Sequence, residues 1–341
     1  RLSMRCQAVV RLRRAAPFAW MRAMQPCRSF APLLRIIAQG VFWFRSGLPE
    51  KRKMHFRGTS LGRELRPPSE DAESGREIRE LMDTGTGQKQ KDLILDRFTR
   101  TAEVFAHFAF PDRAADAETL ARLVSATKED RAVDLACGPG TLALRFARHV
   151  RWICGVDLTP KMLALAQKAA AQENLTNLVL AFGDAQALPF ADGSLDLAVT
   201  SYSLHHMSDP VRVVGEMARV VRRGGRVGIL DIYAPDNLRG ADINNRIEIA
   251  RDPSHTRSLT KAVLEGMLER AGLLVLVSKI TEHPRSFNHW MHTAGSNPGD
   301  PAYEETRRLM ESTIKDDAAG FHPRYVRSEE HTSELQSRHN L

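Results

Sequence analysis

Between residues 131 and 232, short apolar runs alternate with stretches of helical periodicity. Residues 131–136 contain Ala132, Val133, Leu135 and Ala136 and predict a buried strand, followed by a helix over 139–149. The same alternation predicts a strand over 152–157, a helix over 160–172, a strand over 178–182 and a strand over 195–200. Asp209 as N-cap and Pro210 at the first turn open a further helix. Its apolar stripe is Val211, Val214, Met217 and Val221, Gly224 and Gly225 close it, and a strand over 226–232 follows. Upstream, Leu93, Ile94, Phe98, Ala102, Phe105 and Ala109 mark a helix over 91–108, and a second helix covers 117–126. These two helices are expected to lie against the sheet's carboxyl edge. Downstream, the pattern predicts helices over 237–250 and 259–271 and a strand over 273–281, with mixed helix and loop over 283–321. Strands separated by helices pair in parallel through right-handed crossovers, so the expected fold is α/β, a doubly wound and mostly parallel sheet with helices on both faces.

Charge divides the chain. Of its 49 Lys and Arg and 41 Asp and Glu, residues 1–81 hold 17 and 7, so the basic excess belongs to the front and the rest is nearly balanced. A near-neutral body argues against a nucleic-acid surface there, and no nucleic-acid partner is expected. Residues 1–49 carry nine Arg and no acid. That composition suits an organellar transit peptide, a membrane-surface stretch or a non-native extension. No run approaches the roughly 18 apolar residues that a membrane span needs, because Arg35 and Arg45 bracket the apolar segment between them. Residues 1–81 are therefore read as an Arg-rich extension, disordered or not native, with Met82 as a plausible start. Residues 82–326 are read as the functional domain, with its core over 93–281. Residues 327–341 are set apart, because 327–337 resemble the translation of a sequencing adapter; the polar composition suits a disordered tail equally. Cys6, Cys27, Cys137 and Cys154 form no metal-ligand spacing, so no metal is expected. They suit a reducing compartment, and the expected location is cytoplasmic, or organellar if residues 1–50 are a transit peptide.

Gly138-Pro139-Gly140-Thr141-Leu142-Ala143 matches a Rossmann-type glycine fingerprint, and Asp157 follows Gly138 by 19 residues at the end of the second strand. Glycines and a carboxylate at that spacing suit a dinucleotide such as NAD. Two further acids redirect the reading. Asp134 lies inside the first strand, where burial demands a partner. Asp184 follows the third strand, ahead of Leu188 and Phe190. Acids at three successive strand ends, with no arginine placed for a pyrophosphate, describe a ligand with a cationic head, a ribose and a purine. Each residue also has a plain structural alternative: Asp134 and Asp157 as helix-capping acids, Asp184 as a turn former, Leu158 and Met162 as core.

The runs V-D-L-A-C-G-P-G, G-V-D-L-T-P-K-M-L, G-D-A-Q-A-L-P-F and S-Y-S-L-H-H-M-S-D-P, ending at Gly140, Leu163, Phe190 and Pro210, resemble the successive motifs of class I S-adenosylmethionine-dependent methyltransferases. The nearest branch is that of the ubiquinone/menaquinone methyltransferases, the type 11 group, and the likeness covers residues 93–281. It implies a Rossmann-like sheet and S-adenosyl-L-methionine as cofactor, with a small-molecule acceptor methylated by in-line displacement. It further implies that Asp134, Ala136 and Gly138 hold the methionine portion and that Gly140 lets the cofactor approach the backbone. Asp157 would grip the ribose hydroxyls, and Leu158 and Met162 would pack near the adenine. Asp184 and Ala185 would address the adenine edge, and Ser201 the backbone around the sulfonium. His205 and His206 fall where an acceptor would meet the methyl group; one could orient it or take a proton, or could simply bond to backbone. The quinone members resemble F-G-L-R-N after the fourth strand, whereas this chain has Tyr202-Ser203-Leu204-His205-His206, the pattern of the substrate-diverse group. The family closes its sheet with a final antiparallel strand, which is expected to be missing here. The alternatives are an NAD-dependent oxidoreductase and an RNA-directed methyltransferase. Base-amino methylation is disfavoured because Thr200-Ser201-Tyr202-Ser203 stands where an Asn or Asp followed by Pro-Pro-aromatic would mark it.

Overall fold

The computed structural model describes residues 2–11, 87–327 and 333–340. The expectations for the rest of the front segment and for Met82 lie outside the described residues. The elements in chain order are β1 (Leu2–Arg11), α1 (Gly87–Leu123), β2 (Arg131–Leu135), α2 (Thr141–Ala147), β3 (Trp152–Asp157), α3 (Pro160–Gln172), β4 (Leu178–Phe182) and β5 (Leu195–Ser201). A 3-10 turn (Leu204–His206) leads to α4 (Pro210–Val220), β6 (Val221–Ile232), α5 (Leu238–Arg251) and α6 (Lys261–Arg270). β7 (Lys279–Ser286), α7 (Phe287–Thr293), α8 (Pro301–Ser312), β8 (Arg324–Arg327) and β9 (Ser333–Asn340) complete the chain.

The sheet order is β4-β3-β2-β5-β6-β1-β7-β9-β8, and β4, β3, β2, β5 and β6 run parallel. The order reverses between β3 and β5, on either side of β2, which opens a crevice at the carboxyl ends of these strands. Period-two alternation divides the core between the two faces. Ala132 joins Leu120, Phe146 and Leu197 on one face, while Val133 and Leu135 join Val156, Met217 and Ile229 on the other. This is the doubly wound α/β architecture expected.

Several boundaries differ from the expectations. The two helices expected over 91–108 and 117–126 form one helix, α1, because its packing against α2 and α3 outweighs the break in local pattern. The helix at Pro210 stops at Val220, and β6 begins at once and carries Gly224 and Gly225 inside it. Asp209 caps that helix as expected, accepting a hydrogen bond from the Arg212 N–H at 2.9 Å. The strand expected over 273–281 begins only at Lys279.

The position between β6 and β7 is occupied by an antiparallel strand, but the strand is the first of the chain rather than the last. β1 pairs antiparallel with both neighbours, Cys6 opposite Ile232 on one side and Thr281 on the other. The position expected to be left open is thereby taken by Leu2–Arg11. The open edge of β6 presents unpaired backbone groups that any extended segment can satisfy. At the other end of the chain, β9 pairs antiparallel with β7 and β8. Among the described residues no helix is long and apolar enough to cross a membrane.

Candidate active site

The chain turns from β2 into α2 through three left-handed residues, Ala136 (φ 50°), Gly138 (φ 55°) and Gly140 (φ 89°). Positive φ favours glycine at the last two, and at Gly140 close packing adds a second reason. A Cβ on Gly140 would lie 3.0 Å from the Ala166 Cβ, so this glycine seats α2 against α3. A Cβ on Gly138 would meet nothing within 4 Å, because that position faces open space. Ala136 and Tyr202 (φ 51°) are non-glycine residues in the left-handed region, and both line the crevice. Such strain persists where surrounding structure over-determines it, as at binding sites.

Three carboxylates mark successive strand ends. Asp134 is fully buried, and neither of its oxygens has a hydrogen-bond partner; nor does the buried hydroxyl of Thr141 at the start of α2. Burial, reinforced by the neighbouring Asp157, pushes the Asp134 carboxyl well above the usual carboxylate range. Asp157 Oδ2 accepts from the Gly138 N–H at 2.7 Å and Oδ1 from the Thr159 N–H at 2.8 Å. Burial raises its pKa, and these donors offset part of the rise. Asp184 accepts from the Gln186 N–H at 2.8 Å and forms an ion pair with Lys91 at 2.6 Å.

A cavity with room for about 90 Å³ of water-sized solvent, open to the outside, lies at these strand ends. Ala136, Gly138, Asp157, Leu158, Met162, Asp184, Ala185, Ser201 and His206 all line it, as the sequence motifs imply. Three expected site residues do not. Asp134 is fully buried at the end of β2 and is not part of the lining itself, whereas its neighbours Ala136 and Gly138 are. Gly140, expected to let the cofactor approach, is not in the lining and lies against Ala166 of α3. His205 turns away from the cavity. Sequence reasoning missed the opposite wall, which α1 supplies through Gln90, Lys91, Ile94, Phe98, Phe105 and Arg113. The helical spacing of Phe98 and Phe105 was the available signal, but it reads equally well as core.

The two adjacent histidines have separate tasks. His205 Nδ1 lies 2.5 Å from Asp231 Oδ1, and the same carboxylate accepts from the backbone N–H groups of Ser203 and Leu204. Burial opposes the Asp231 charge, but His205 and these donors hold its pKa below the ordinary value. The pair pins the 3-10 turn to the end of β6, and His205, expected beside the acceptor, is not among the residues that line the cavity. His206 Nδ1 faces the Ser254 carbonyl at 3.0 Å, and its ring meets Phe98 edge-on at 5.1 Å. A carbonyl only accepts, so Nδ1 carries the hydrogen and Nε2 is left as an acceptor. Burial and the adjacent His205 lower the His206 pKa to about 3, so the ring is neutral at physiological pH. Gln90 bonds the His206 and Ser254 carbonyls at 3.0 and 2.6 Å and ties α1 to this wall.

A doubly wound sheet, a glycine turn and acids at three consecutive strand ends define a class I methyltransferase domain. Comparison with known proteins gives the same class: residues 133–229 match the family model described as a methyltransferase domain. Residues 133–229 thus resemble a methyltransferase domain. The chain is 29% identical over 203 residues to the uncharacterized methyltransferase YcgJ of Bacillus subtilis, a match covering 60% of this chain and 80% of that protein. The crystal structure of YcgJ superposes with a TM-score of 0.60 at 25% identity, covering 66% of this chain and 95% of that one. Demethylmenaquinone methyltransferase of Lactobacillus johnsonii is 38% identical over 112 residues, 32% of this chain and 46% of that protein.

Proposed function

We propose that this chain transfers a methyl group from S-adenosylmethionine to a small, largely apolar acceptor. The observation that carries the cofactor reading is Asp134. A buried carboxylate with both oxygens unpartnered is costly, and a ligand ammonium above the Gly138 turn would satisfy it. The other wall residues suit the remaining parts of the same molecule. Asp157 is positioned to accept from ribose hydroxyls while keeping its bonds to Gly138 and Thr159. Leu158 and Met162 offer an apolar face for a purine, with Asp184 and Ala185 at its edge and Ser201 beside the reacting centre.

When bound, S-adenosylmethionine supplies a methyl group already activated by its sulfonium. The chain's task is alignment, since holding donor and acceptor in line removes much of the entropic barrier. Phe98, Phe105 and Tyr202 form an aromatic wall for the acceptor. The neutral His206 ring, with Nε2 as acceptor, orients a donor group such as a hydroxyl; with its pKa near 3 it is too weak a base to remove a proton in bulk. The named quinone methyltransferase among the relatives supports a planar acceptor of this kind.

The test is calorimetric titration of the full chain with S-adenosylhomocysteine and, separately, with NADH. The expected result is binding of S-adenosylhomocysteine alone. Binding of NADH without S-adenosylhomocysteine would reverse the reading in favour of an oxidoreductase, and RNA binding that falls steeply with salt would favour an RNA acceptor.

A further inference from the structure

α5 and α8 pack against each other, and with residues 313–318 they enclose an open cleft with room for about 300 Å³ of water-sized solvent. That is more than the cavity at the strand ends offers, and the two share no lining residue. The floor of the cleft is apolar: Ile247 is fully buried, and Ile243 and Leu309 are half-buried against the core.

The rim is cationic. Arg239 and Arg246 stand seven residues apart on one face of α5, and both are exposed. Neither makes a hydrogen bond or a close ion pair among the described residues. Arg308 faces them from α8. Glu305, which Arg246 influences without bonding it, spends both of its oxygens on Arg308, at 2.9 and 2.7 Å. Asp316 is the one acid in the lining, and its Oδ1 accepts from the Ala318 N–H at 3.2 Å. The lining therefore sets three cations against one acid. The cleft that Arg219, Arg222 and Arg223 line beside α4 differs in this respect. There Arg219 bonds Glu216 and Asp192, and Arg222 bonds Asp196, so two of the three guanidiniums are taken.

Guanidiniums without an acid partner beside an apolar floor match a ligand with an oxyanion head and an aliphatic body. The planar donors meet a carboxylate or phosphate through paired bonds, and the body removes Ile243 and Leu309 from water. Seven residues of helix rise about 10 Å, a gap that two arginine side chains can close around one head. We propose that the cleft between α5 and α8 is a second binding site, for an amphiphilic oxyanion whose head is held by Arg239 and Arg246 and whose aliphatic body lies over Ile243 and Leu309. The assignment does not depend on the cofactor reading above.

The experiment titrates the full chain calorimetrically with octyl phosphate, octanoate, inorganic phosphate and 1-octanol, each below the concentration at which it self-associates. The expected result is one-to-one binding of octyl phosphate, octanoate or both, at least about tenfold tighter than that of inorganic phosphate or octanol; the tighter of the two amphiphiles identifies the head. The double variant Arg239→Gln/Arg246→Gln should bind that amphiphile about 10- to 100-fold more weakly, the scale of lost charged hydrogen bonds. Asp316→Asn, which keeps an oxygen for the Ala318 N–H, should bind it several-fold more tightly. Equal affinity in the parent and both variants would overturn the proposal and place the probe elsewhere, as in the cavity at the strand ends. Binding of neither amphiphile, or inorganic phosphate bound as tightly as octyl phosphate, would overturn it too. Binding to anionic phospholipid vesicles without binding of either free amphiphile would replace it with a lipid surface. If the double variant does not fold, Asp316→Asn decides.

Discussion

The Asp157 carboxylate accepts a hydrogen bond from the Gly138 backbone at 2.7 Å, joining the end of β3 to the turn that follows β2. One side chain thus holds the glycine turn in shape and faces the cavity with its remaining acceptor capacity. Asp157→Ala should therefore weaken S-adenosylhomocysteine binding by about 2–3 kcal/mol, and it should also lower stability by about 1–3 kcal/mol because Gly138 and Thr159 lose their acceptor. Calorimetric titration and urea unfolding of the same variant separate the two effects. Unchanged affinity would remove Asp157 from the site.

Asp134 is expected to trade stability for binding. Asp134→Asn replaces a buried carboxyl whose ionisation burial and Asp157 oppose, so the variant without ligand should melt at the same or a higher temperature than the parent. The rise in melting temperature that S-adenosylhomocysteine gives the parent should be lost. A variant that melts lower and keeps its ligand-induced shift would show that Asp134 is an ordinary structural acid.

The histidine pair should divide cleanly. His205→Ala leaves Asp231 buried without its imidazole and should destabilise the protein by about 3–5 kcal/mol. His206→Gln should leave the melting temperature within a few degrees of the parent and change the acceptor's KM more than the cofactor's affinity. Thermal melts and steady-state kinetics check both; equal destabilisation by the two substitutions would contradict the division.

Stability should fall in mildly acidic solution. His206 is held to a pKa of about 3 and His255 to about 4, mainly by burial, against about 6.5 in an unfolded chain. Both are neutral in the fold, so their contribution is complete above pH 6.5. It is lost as pH falls toward 4, where only the unfolded chain takes up protons. At pH 4.5 the His206 share is about 2–3 kcal/mol. Asp134 and Asp157, whose pKa values are raised, act in the opposite sense because the fold takes up their protons first. The His206 share is therefore read by comparing the urea midpoints of parent and His206→Gln across pH 7 to 4.5: the parent should lose stability faster, so the variant gains on it as pH falls.

Much of the cavity wall at the strand ends was legible in the sequence, because local rules set it. Strand, turn and acid follow one another within short stretches, and Gly138, Asp157 and Asp184 reach the crevice wherever parallel strands lie side by side. The acceptor side was less legible. Phe98, Phe105 and Arg113 stand on a helix whose periodicity says only that one face is covered, and whether the cover is core or ligand depends on where that helix crosses the sheet. The chemistry of His205-His206 was also ambiguous until the backbone turned one ring toward Asp231 and the other toward the cavity.

The sequence by itself determined the α/β class, the parallel order of the central strands and the three acids at their ends, since hydrophobic periodicity and turn chemistry act over short range. Only the tertiary structure decided that Gly140 lies against Ala166 while Gly138 lines the cavity, that His205 pairs with Asp231, and that Arg113 lines the cavity from α1. It also decided that Leu2–Arg11 takes the antiparallel position beside β6. Each of these depends on contacts between segments distant along the chain, and no local pattern encodes them.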